Sequence, residues 1–221
     1  YPLPSLIFFL VISALHFGSS DIRHISPPSS KDAWVPLIAH GGLVVIAIPV
    51  LQSSSVEPLF AALVGTESSL WLVKQINQLR LPWAACLFAY VIYSVYQPRW
   101  RKSLLSLSVL IALAYLLPPL VSFALYFCLW HSRSHMQRIW RNIAQADRRR
   151  SANETLIYSL LAYAAAGVYF VLQTDTASAS VTAITPALLQ LTFIGLAALT
   201  VPHMVLVDFI HGQQQEDQQH D

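Results

Sequence analysis

The chain has 221 residues, of which 55% are hydrophobic and 11% charged, with a formal net charge of +2. Ordinary soluble domains carry about 25% charged residues, so the composition excludes a water-soluble globular protein, and so small a net charge argues against a nucleic-acid partner. The apolar runs are continuous rather than alternating, which leaves helices and not a barrel as the way to satisfy the backbone in lipid.

Taken in chain order, the apolar segments cover 3–17, 34–51, 81–96, 104–117, 120–130, 156–172 and 186–210. The start, "YPLPSLIFFLVISALHFG", has no initiator Met, basic region or cleavage site. It does not read as a signal peptide, and the expectation is that the protein continues upstream. The segment 56–73 is interrupted by Glu57, Gly65, Glu67, Ser68 and Ser69, and acidic groups at mid-membrane are costly; it is expected not to span. The apolar stretch 104–130 would be about 40 Å long as one helix, and Pro118-Pro119 near its middle predicts a tight helical hairpin. Charge agrees, because Arg99, Arg101 and Lys102 precede the stretch and Arg138, Arg141 and Arg148–Arg150 follow it; the positive-inside rule wants both clusters in the cytoplasm. The loop 173–183 has no Lys or Arg and is expected outside. The expected fold is therefore all-α, a polytopic transmembrane helix bundle of about seven crossings, forming one transmembrane domain over 1–210 in the cell (inner) membrane. The polar tail 211–221 is expected in the cytoplasm, with His211 and His220 solvated. Cys86 and Cys128 lie in apolar runs without CxxC spacing and read as buried thiols.

Five histidines fall within or beside the apolar segments: His16, His40, His131, His135 and His203. Ionisable groups there are functional candidates, since an unpaired one is expensive to bury. In "FCLWHSRSH", His131 and His135 are four residues apart, on one face of a helix and close enough to share a metal ion; the alternative is a pair of polar residues marking where the helix surfaces. His40, beside Gly41-Gly42, reads as a packing or hydrogen-bonding residue. Asp21 and Asp208 each follow a histidine by five residues, and either cap a helix end or hold an imidazole through its second nitrogen. Imidazole ligands alone suit iron, copper or zinc, and the histidine count favours one ion over two.

In this order and at these separations, "LHFGSSD", "YFCLWHSRSH" and "TVPHMVLVD" resemble the bacterial and archaeal membrane β-carotene 15,15′-dioxygenases of the Brp/Blh family. The resemblance runs from near His16 to near Asp208. It implies an Fe(II) enzyme that splits β-carotene at its central double bond with O2 to give two retinal, drawing its substrate from membrane lipid and supplying retinal to a protein such as a microbial rhodopsin. His16, His131 and His135 match three of the family's iron ligands; a fourth belongs to an upstream Pro-His-Gly motif, on a helix that this sequence is expected to lack. His203 is a ligand, a donor behind the ligands, or a motif residue near the substrate. Tyr126, Phe127 and Trp130 either line a slot for the polyene or are ordinary core aromatics. The competing readings are another histidine-metal membrane protein, such as a carotenoid or lipid oxidase, and a bis-histidine haem electron carrier. A retinal photoreceptor is rejected because Lys31, Lys74 and Lys102 all lie at segment edges.

Overall fold

The computed structural model describes residues 1–27, 30–133, 147–173, 189, 191–198 and 200. Among them there is no strand. Helix α1 covers Pro2–Ile22; after a 3-10 turn at Lys31–Ala33, α2 (Trp34–Gly42) winds through a π-helical stretch, Leu43–Ala47, into α3 (Ile48–Leu51). Then come α4 (Ser53–Val64), α5 (Thr66–Gln78), α6 (Arg80–Tyr96), a 3-10 turn at Pro98–Trp100 and α7 (Arg101–Leu116). Helix α8 (Pro119–Ala124) continues as a second π-helical stretch, Leu125–Ser132, and α9 is Arg148–Gln173. Residues 135, 203, 208 and the tail 211–221 lie outside the described residues, as do 174–183 of the expected outer loop.

Three stretches among the described residues are long and apolar enough to cross a membrane: Pro2–Ile22, Lys31–Leu51 and Thr66–Tyr96. The long run at 104–130 breaks at its prolines: Leu117 is extended, and α8 begins at Pro119, where a first-turn residue needs no N–H. The weak segment 56–73 divides at Gly65, whose φ of 84° and ψ of 159° belong to glycine alone. Of its halves, α4 is about 20 Å long or less, short of the ~30 Å hydrocarbon layer, whereas α5 runs on into α6. Residues 74–80 belong to a helical run from Thr66 to Tyr96, in which Leu79, between α5 and α6, keeps helical torsions. Pro82 sits in the first turn of α6, where it is tolerated.

Packing fixes the directions. Gly18 faces the Leu37 carbonyl and Gly41 the Ala14 carbonyl, so α1 and α2 run antiparallel; such close approach through small residues is how apolar helices associate without hydrophobic drive. Trp83 Nε1 donates to the Ala39 carbonyl at 3.2 Å and Cys86 Sγ to that of Val35 at 3.5 Å, which sets α6 antiparallel to α2. Helix α7 runs alongside α2 and α3: its first turn meets His40, and near its end Gln52 Nε2 donates to the Ala114 carbonyl at 2.6 Å. The Pro118 turn sends α8 back toward the C-terminal end of α1. One end of the bundle therefore gathers the end of α1, the starts of α2 and α7, and the end of the α8 stretch.

The exterior is apolar, with Phe8, Leu15, Phe88, Val95, Leu105, Leu116 and Leu129 all more than half exposed. Such a surface has no place in water and fits a hydrocarbon solvent. That also corrects the reading of Cys128, which is exposed: where the solvent is lipid, an apolar neighbourhood in sequence does not place a thiol in the protein core.

Candidate functional site

At the gathered end two buried imidazoles face each other. His16, on the last third of α1, is 4% exposed and His131, at the end of the α8 stretch, is 7% exposed; their ring centres are 5.3 Å apart. Phe17 packs edge-on against His131 at 4.9 Å, Phe127 stacks on it at 6.0 Å, and Tyr126 lies tilted at 6.0 Å. Two imidazoles whose nitrogens each stand about 2.0–2.1 Å from one shared ion have ring centres roughly 5 Å apart. The pair fits that spacing. No group of three or more His, Cys, Asp or Glu among the described residues has metal-holding geometry; the other sequence candidates, His135 and His203, are not among the described residues.

Asp21 backs the pair. It sits one residue from the end of α1 and is 5% exposed, a poor position for an anion because the helix dipole is negative there. Three groups from other helices compensate. Tyr126 Oη donates to Oδ2 at 3.0 Å, His40 Nδ1 is 3.5 Å from the same oxygen, and His131 Nδ1 is 3.6 Å from Oδ1. A carboxylate at Nδ1 favours the proton on that nitrogen and leaves the Nε2 lone pair of His131 free to accept a proton or act as a ligand. The same logic makes His40 Nε2 the acceptor of the Ser103 hydroxyl, 2.9 Å away. Asp21 thus ties α1 to α2 and the α8 stretch directly, and to α7 through His40 and Ser103.

The π-winding of Leu125–Ser132 makes this possible. In an α-helix, residues five apart point about 140° away from each other; a π-helix repeats its hydrogen bonds at five residues, so Tyr126 and His131 share a face and both reach Asp21.

A partly open apolar groove runs along α1 from Phe9 to Phe17 and is flanked by Val44, Ile48, Phe60 and Phe123. It ends at Phe17 and Phe127, the two rings packed on His131. Of the three aromatics singled out in the sequence, Phe127 lines the groove, Tyr126 is buried with its hydroxyl on Asp21, and Trp130 is 38% exposed on the other side of the helix, beside Leu105 and Val109. Sequence reasoning missed the His40–Asp21 contact and Ser103; the buried histidine before Gly41-Gly42 was the available signal.

An apolar exterior, a helical bundle, and buried polar groups gathered at one level beside an apolar groove define a membrane-type helical protein built to bring a hydrocarbon to a polar centre. The sequence pattern of the β-carotene 15,15′-dioxygenases matches residues 1–211. A β-carotene 15,15′-dioxygenase from the uncultured marine bacterium 66A03 is 38% identical over 215 residues, covering 95% of this chain and 74% of that protein. The chain belongs to the β-carotene 15,15′-dioxygenase family. No solved structure matches it.

Proposed function

We propose that this protein cleaves β-carotene at its central 15,15′ double bond, consuming one O2 and releasing two retinal; C40H56 and O2 give two C20H28O, so the atoms balance. The reading rests above all on the buried His16–His131 pair at the end of an apolar groove in a chain of this family. His16 and His131, with His135 and His203 as the further candidates, would hold a ferrous ion, which when bound supplies the redox chemistry that lets O2 react with a closed-shell polyene. Asp21 and Asp208 are the proposed carboxylates behind the ligands; Asp21 holds His131 by its far nitrogen and so fixes the ring's tautomer and angle. β-Carotene has no polar handle, so its placement depends on shape: the groove walls exclude water and align one half of the polyene, leaving its central bond at the Phe17–Phe127 end.

Lys and Arg near the gathered end, among them Arg23, Lys31, Arg99, Arg101 and Lys102, support by the positive-inside rule a reading in which that end faces the cytoplasm of a multi-pass inner-membrane protein, with lipid delivering the substrate laterally. Retinal leaving into the bilayer is available to a retinal-dependent protein such as a microbial rhodopsin. The test is stoichiometric. Purified protein in lipid nanodiscs with Fe(II), β-carotene and O2 should form two retinal per β-carotene consumed, while unequal apocarotenals, or no product, would refute the reaction.

A further inference from the structure

The groove is carbon-lined except at Ser13 and Thr200. Ser13 is 2% exposed, and its Oγ has no hydrogen-bond partner among the described residues. That is unusual for this molecule. Ser94, Ser106 and Ser108 each turn their hydroxyl back to the carbonyl four residues earlier, at 2.8–2.9 Å, the ordinary way for a helical serine to be satisfied. An unsatisfied hydroxyl in an apolar wall costs free energy that an alanine would not, and a groove occupant carrying an acceptor removes that cost.

β-Carotene carries no acceptor. Retinal carries one, the aldehyde oxygen, and it is attached to the carbon released by central cleavage, so it lies at the histidine end of the groove. Ser13 precedes His16 by three residues, on the same face of α1 and about 5–6 Å away between Cβ atoms. Resting on the reaction proposed above, we propose that the Ser13 hydroxyl donates to the aldehyde oxygen of retinal and holds the cleaved half in the groove. Ser13 then distinguishes product from substrate, because its hydrogen bond exists only once the carbon–oxygen bond has formed.

The experiment compares wild type and Ser13→Ala in nanodiscs. Binding of all-trans retinal is followed by quenching of tryptophan fluorescence, and binding of β-carotene in the same way. Losing one net hydrogen bond should reduce the preference for retinal over β-carotene roughly fivefold, while thermal stability without ligand stays equal or rises as the orphan hydroxyl is removed. An unchanged preference would overturn the assignment and leave Ser13 a merely unsatisfied wall residue. Retinal formation by wild type, measured in parallel, separates the two ideas: its absence overturns the proposed reaction, whereas normal formation with an unchanged preference in Ser13→Ala overturns the role of Ser13 alone.

Discussion

Replacing Asp21 with asparagine keeps the shape and removes one acceptor. Tyr126 Oη and His40 Nδ1 both address Oδ2, and His131 Nδ1 addresses Oδ1. An amide nitrogen at either position therefore meets an N–H or O–H donor, and at least one buried donor loses its acceptor. An unsatisfied buried group costs about 1–3 kcal/mol. Independently, loss of the carboxylate behind a ligating histidine typically lowers metal affinity about 10–100-fold, or roughly 1.4–2.8 kcal/mol at 1.4 kcal/mol per factor of ten; the two estimates agree. Titrating metal-free protein with Fe(II) and following retinal formation should show half-saturation in Asp21→Asn at about 10–100 times the wild-type concentration, with most of the turnover restored at saturating iron. Wild-type half-saturation in a correctly folded Asp21→Asn protein would refute the role given to Asp21, as would a loss of turnover at unchanged iron occupancy.

Two glycines should separate packing at the site from backbone strain elsewhere. In Gly41→Val the new Cβ meets the Ala14 carbonyl, which cannot swing aside, so α1 with His16 is displaced; thermal unfolding should show a loss of about 1–3 kcal/mol together with reduced retinal formation per folded molecule. Gly65→Ala meets nothing within 4 Å but must adopt glycine's torsions, so a comparable loss of about 1–3 kcal/mol should leave turnover per folded molecule unchanged. For orientation, in a background with Cys86→Ala and Cys128→Ala, a membrane-impermeant maleimide added to intact cells should label Glu67→Cys and should label Lys31→Cys only after lysis; the reverse pattern would invert the topology.

The features readable from sequence were those set by local chemistry. Continuous apolar runs gave the helical class, Pro118-Pro119 the reversal between α7 and α8, and Gly65 among glutamates and serines the break inside 56–73. Features that depend on how one helix is rotated against another were not readable. Spacing on an α-helix cannot anticipate that Leu125–Ser132 is π-wound, so it left Tyr126 as either a slot-lining or an ordinary core aromatic and did not reach its hydroxyl's contact with Asp21. Asp21 was open between capping a helix end and holding an imidazole; which imidazoles it meets, His40 and His131 on other helices, depends on packing that spacing does not give.

The claim that joins fold to function is that His16 and His131 hold one iron at the end of the groove. The most direct measurement is bound iron and retinal formation in His131→Ala, with His220→Ala of the polar tail as its comparison. His131→Ala should lose iron and retinal formation together while His220→Ala keeps both; a folded His131→Ala protein with full iron content and normal turnover would contradict the account.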